Sequence, residues 1–206
     1  MKHIFLSLLL MLFTTLLFAQ QKTDSVSLNN KKKNKFSVGV GGGLTYMIPN
    51  VGNRNTDTDI KGLMKENYGF AITQKAFWRI YLYVAYNKET FAMKSSNSLN
   101  KYIDYLNFNS DSYSGGVQVK LFKENKIRFY TITGYKYSII YQEGFWRTNE
   151  QSITVGGKIE YSISNNLSID VGALKMIGLT HIRAFDNDYY KLQYFNFDIG
   201  FSIYLF

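Results

Sequence analysis

The chain has 206 residues, a formal net charge of +9, no Cys, one Pro and 17% aromatic residues. The aromatic content excludes a disordered chain, and the lack of Cys excludes a disulfide scaffold and any cysteine-ligated metal or haem. Tyr, Phe, Thr, Ile and Gly dominate where a helical bundle would carry Ala, Leu, Glu and Lys.

Residues 1–19 read as a cleaved secretory signal peptide. Met1-Lys2-His3 is a short basic start, and Ile4 to Phe18 is apolar except for Ser7, Thr14 and Thr15. Ala19 supplies the small residue before Gln20. The run falls short of the roughly 20 residues that a spanning helix needs, and no Cys follows it to carry a lipid anchor. Residues 20–35 are polar, carry Lys31, Lys32, Lys33 and Lys35, and read as a flexible periplasmic leader. A solvated linker explains these lysines, and a nucleic-acid partner is not expected of an exported chain.

From Phe36 onward the apolar residues recur with period two. Val38, Val40, Leu44, Tyr46 and Ile48 form the first set, with Gly39, Gly41 and Gly43 between them. Tyr68, Phe70 and Ile72 follow, then Ile80, Leu82, Val84 and Tyr86. Val117, Val119 and Leu121 mark a fourth segment, and Ile127, Phe129, Tyr135, Tyr137 and Ile139 a fifth. Ile153, Val155, Ile159, Tyr161 and Ile163 mark a sixth, and Leu167, Ile169, Val171 and Ala173 a seventh. The eighth segment alternates Phe195, Phe197, Ile199, Phe201, Ile203 and Leu205 with Asn196, Asp198, Gly200 and Ser202. Connections near 75–78, 123–126 and 164–166 are short. Those over 50–66, 94–108, 142–150 and 178–190 are long, and 94–108 has room for a hidden hairpin. Alternating short turns and long loops suit a membrane barrel with one set of turns on each side.

The polar phase carries Arg79, Glu89, Arg128, Lys136, Lys158, Glu160 and Asp170, and the opposite phase is almost free of charge. The reading is an all-β, eight-stranded, antiparallel, up-and-down transmembrane β-barrel over residues 36–206, apolar outward, with those seven residues as an interior charge network. Closure removes every sheet edge. Trp78 and Trp146, at strand ends, are the expected interface aromatics. Gly-rich stretches mark curvature or bulges and have no following helix to cradle a phosphate. No cofactor or metal is expected.

The signal peptide, the amphipathic strands and the ending Phe201-Ser202-Ile203-Tyr204-Leu205-Phe206 together resemble the small outer-membrane β-barrel proteins of OmpA/OmpX type from Gram-negative bacteria. The Lys- and Asn-rich style and the Phe18-Ala19-Gln20 junction are similar to exported proteins of the Bacteroidota. The resemblance implies outer-membrane location, contact with membrane lipid and lipopolysaccharide, and delivery by the barrel-assembly machinery through an assembly signal at Tyr204 and Phe206. The phase of Tyr204 and Phe206 continues into Ser202, Gly200 and Asp198, so either a bulge shifts it or the odd residues face lipid.

A structural or interaction role at the cell envelope is expected, exercised through the long loops on a lipid, lipopolysaccharide or an envelope partner. A narrow transport channel is the alternative. A lipid-modifying enzyme would have to use His181, but Arg183 stands where the resembling deacylases place a Ser. A secreted barrel holding an apolar ligand would require the faces to be reversed.

Overall fold

The computed structural model describes residues 36–51, 58–97, 103–122, 126–142, 146–184 and 188–205. The expected signal peptide and leader, and Phe206, lie outside the described residues. Eight strands follow in chain order: β1 Phe36–Val51, β2 Thr58–Phe77, β3 Ile80–Asn97, β4 Ile103–Lys120, β5 Ile127–Gln142, β6 Trp146–Ser162, β7 Leu167–Ala184 and β8 Asp188–Leu205. Each pairs antiparallel with its neighbours in sequence, and β8 returns to β1 to close the barrel. The closing seam is regular from Phe36↔Leu205 to Val51↔Tyr190. Register shifts occur between Leu63 and Asn67 and between Lys75 and Phe77 on β2, and between Ile177 and His181 on β7.

The strands overrun the expected connections. They are 16 to 20 residues long, whereas about 9–11 tilted residues cross the hydrocarbon. At the end where β1 begins and β8 ends the connections are short: residues 78–79, 121–126 and 163–166. At the far end, the supposed loops 50–66, 94–108, 142–150 and 178–190 are mostly strand, leaving only 52–57, 98–102, 143–145 and 185–187 between elements. The expected contrast of short and long connections is therefore replaced by strands that project beyond the apolar band. Both β3 and β4 run into the stretch suspected of hiding a hairpin, and the strand count stays at eight.

The barrel is apolar outside and polar within. On β8, Phe197, Ile199, Phe201, Ile203 and Leu205 are exposed, while Tyr194, Asn196 and Ser202 in the alternate phase are buried. Val40, Leu44, Phe70, Val155, Ile159 and Val171 continue this exposed surface around the wall. Buried positions include Glu89, Lys136, Glu150, Glu160, Ser112, Ser138 and Ser152. So large a continuous apolar surface is foreign to a soluble monomer, and the polar lumen rules out the reversed, ligand-holding barrel. No bulge interrupts β8: the odd residues face outward and Tyr204 faces inward.

Glycine allows the close approach of strands at particular points. A Cβ at Gly43 would run into the Phe197 carbonyl on β8, whereas one at Gly172 would meet nothing closer than 3.6 Å. Gly43→Ala is therefore expected to cost about 1–3 kcal/mol through forced backbone movement, while Gly172→Ala stays within about 0.5 kcal/mol. Urea unfolding of the refolded barrel measures both. Equal costs would contradict the geometry.

Candidate functional site

The lumen holds two ionic clusters and an aromatic plug. The central cluster is built on Glu89 of β3. Lys136 on β5 donates to both its carboxylate oxygens, at 2.6 and 2.5 Å. Asn196 on β8 donates Nδ2 to Oε1 at 2.7 Å, and Ser112 on β4 donates Oγ to Oε2 at 3.0 Å. Both ions are buried, with 1% and 0% of their side chains exposed. Desolvating a carboxylate and an ammonium is costly unless pairing and further hydrogen bonds satisfy them, and here four strands contribute to one anion. The Lys136 ammonium also lies 4.6 Å from the centre of the Tyr194 ring, a cation–π contact strengthened by the dry surroundings.

A second cluster lies nearer the short-turn end, around Glu160 on β6. Arg128 on β5 donates to its Oε1 at 2.7 Å, and Lys158 lies 3.8 Å from Oε2. The Tyr204 hydroxyl on β8 donates to the same Oε1. The Arg128 guanidinium sits over the Tyr204 ring and the Lys158 ammonium over the Tyr130 ring, both at 5.2 Å. Asp170, directly across from Glu160, accepts from Ser202 Oγ at 3.2 Å. Two facing carboxylates repel, and Arg128 and Lys158 offset that repulsion.

Beyond the central cluster, towards the far end, the lumen becomes apolar. Phe91 stacks on Phe108 with ring centroids 5.4 Å apart, and on Tyr194 at 6.1 Å. Met47, Ile140, Met176 and Leu192 are buried with them. Tyr194 donates its hydroxyl to Glu150 at 3.3 Å. An eight-stranded barrel is just wide enough for its own side chains to fill it; here the aromatic layer closes the far part, while a cavity of about 120 Å³ lined by Asn67, Gln118, Lys158, Asp170 and Asp198 remains.

Of the seven residues expected in the interior, Glu89 and Lys136 meet in one cluster, and Arg128, Lys158 and Glu160 in the other, with Asp170 across from Glu160. Arg79 does not join them. It lies in the β2–β3 turn, donates to the Leu121 carbonyl at 2.9 Å and stacks over Trp78 at 4.9 Å. Two-residue turns break the alternation, so strand phase cannot place a turn residue. The lumen also holds Glu150, Asn196, Tyr194, Phe91 and Phe108, which were not among the candidates. Glu150 and Phe108 lie in stretches read as loops, and Phe91 lies past the end of the alternating pattern on β3.

The outward face ends in aromatic girdles. At the short-turn end Trp78 is 73% exposed, and Phe122 and Phe129 meet edge to face at 5.7 Å. Trp78 has a positive φ of 43°, a conformation that costs a non-glycine residue on the order of 1 kcal/mol. Trp146 opens β6 opposite Gln142, and its side chain lies outside the described residues. Towards the far end, Phe70, Tyr86 and Tyr113 form a chain of rings at 5.7 and 5.4 Å. Tyr204 faces the lumen, so Leu205, Ile203 and Phe201 are what the last strand presents outside. The side chain of His181, paired in register with Lys191, lies outside the described residues.

No protein-family model and no curated protein matches the sequence. Solved structures do match the fold. Neisserial surface protein A superposes with a TM-score of 0.56 at 10% identity, over 82% of this chain and 97% of its own. The outer membrane protein OprG of Pseudomonas aeruginosa gives 0.56 at 10% identity, over 84% and 97%. At such identities the likeness is one of architecture. Closed order, eight antiparallel strands, a polar lumen and an apolar exterior give this chain the fold of the small outer-membrane β-barrels of OmpA/OmpX type.

Proposed function

We propose that the chain is an integral outer-membrane protein with a structural or interaction role, exercised by the far end of the barrel at the cell surface. It spans with its apolar band in lipid and lipopolysaccharide, keeps its short turns in the periplasm and is inserted by the barrel-assembly machinery. The far end offers the contact surface for an envelope partner.

One observation carries this reading over the channel alternative. The Glu89 carboxylate accepts four hydrogen bonds, two of them from Lys136, and the Phe91–Phe108–Tyr194 stack lies beyond the pair across the lumen. An ion crossing there would have to break a dry ion pair and part a packed aromatic layer. Purified, folded protein in a planar bilayer is expected to give no steady unitary current. A current that changes when Lys136 is replaced would overturn the reading in favour of a narrow channel. Catalysis forms no part of the proposal, and His181→Ala is expected to leave the chemical composition of the membrane lipids unchanged.

A further inference from the structure

A cleft of about 300 Å³ opens on the outer surface of β3–β5, lined by Lys88, Asn109, Ser110, Asp111 and Tyr141. It lies just beyond the Tyr86–Tyr113 girdle, where the outward residues change from apolar to polar. Lys88 and Asp111 are cross-strand neighbours, yet they form no ion pair with one another. Asp111 instead accepts the Tyr86 hydroxyl at 2.8 Å. Lys88 is exposed, and no ion pair of it is found among the described residues. Tyr141 is half-buried, with Arg147 lying 5.6 Å over its ring. Thr90 donates to Asn109 Oδ1 at 3.3 Å, which leaves the amide nitrogen of Asn109 as a donor.

We propose that this cleft binds a phosphorylated sugar, the headgroup of a glycolipid in the leaflet that the barrel crosses. The inference rests on the outer-membrane reading. Its chemistry comes from the cleft itself: a cation for phosphate, an aromatic ring for a sugar face, and a carboxylate and an amide for hydroxyls. Position selects a lipid-borne ligand over a free one. Val84, Val117 and the rings of Tyr86 and Tyr113 lie immediately below on the same strands, so acyl chains packed on them would carry their headgroup to the height of Lys88. A cleft of this size fits a small ligand, at the lower end of the range for such sites.

The test uses the full chain folded in detergent micelles, titrated calorimetrically with O-deacylated lipooligosaccharide, with the same saccharide after dephosphorylation, and with glucosamine. Binding of the phosphorylated saccharide is expected, with little or none for the other two. Lys88→Gln and Tyr141→Ala should each weaken it about tenfold, the scale of one charge-assisted contact, while Lys88→Arg retains it. Both variants are expected to keep the mobility of the folded protein on unboiled gels. Vesicles carrying the intact glycolipid, compared with phospholipid vesicles, then report preference for the lipid-borne form. Failure of the phosphorylated saccharide to bind, binding indifferent to Lys88→Gln, or equal binding after dephosphorylation would overturn the proposal. If the folded protein still fractionates with the outer membrane, that failure leaves the outer-membrane reading standing. A soluble protein would end both.

Discussion

Lys136→Met is expected to destabilise the folded barrel by about 3–5 kcal/mol, because it strands the Glu89 carboxylate in the dry lumen. Glu89 would keep Asn196 and Ser112 as donors but lose the one counter-ion it has among the described residues. The double substitution Glu89→Met with Lys136→Met should recover most of the loss, since replacing both ions with apolar groups of similar volume is often near neutral. Arg128→Met is the control. Glu160 would retain Lys158 and the Tyr204 hydroxyl, and Arg128 is already 22% exposed, so the cost should be smaller. Equilibrium unfolding in urea, followed by loss of the fast-migrating folded band, gives all three values. A cost for Lys136→Met no greater than that for Arg128→Met would mean that the central pair does not anchor the lumen.

Ile199→Arg should cost about 2–4 kcal/mol in a bilayer, as expected for a cation placed near mid-depth on the lipid face. Ile199 lies halfway along the outward run from Phe195 to Leu205 and is 56% exposed. On a surface facing water the same change would stay within about 0.5 kcal/mol, so the sign of the environment is read directly. Lys175 supplies a comparison. It pairs with Val155 and Phe195, and its ammonium lies 5.6 Å over the Phe195 ring. From there a long side chain can extend its charge to the headgroups. Lys175→Leu is therefore expected to change stability far less than Ile199→Arg, in refolded vesicles of the same lipid.

The band within the membrane was legible because one face of each strand meets lipid and the other a polar lumen. On β8 the odd residues from Phe197 to Leu205 are all exposed, and Asn196, Gly200 and Ser202 in the other phase are buried. The far ends were not legible, for a physical reason. Above the band the outer face meets water, as at Asn107 and Asn109, while the inner face carries Phe108 and Ser110. The phase of polarity inverts there, so the apolar alternation that marks a strand lower down is lost although the ladder continues. The plug was hidden for the same reason: Phe108 and Leu192 lie where polarity has changed sides. The charge network was legible from Glu89, Lys136 and Glu160 because each falls in the phase opposite the apolar face of its own strand. Arg128 and Lys158 could be read as partners of Glu160 from the neighbouring strand and from its own, whereas the Lys136–Glu89 pair could not, since it joins β5 to β3 across the lumen.

The most direct test of the central claim is fractionation of cell membranes followed by gel electrophoresis with and without boiling. A closed barrel with this polar lumen and apolar exterior should appear in the outer-membrane fraction and shift in mobility only after heating. A band in the soluble fraction with the same mobility before and after boiling would contradict the membrane-embedded barrel.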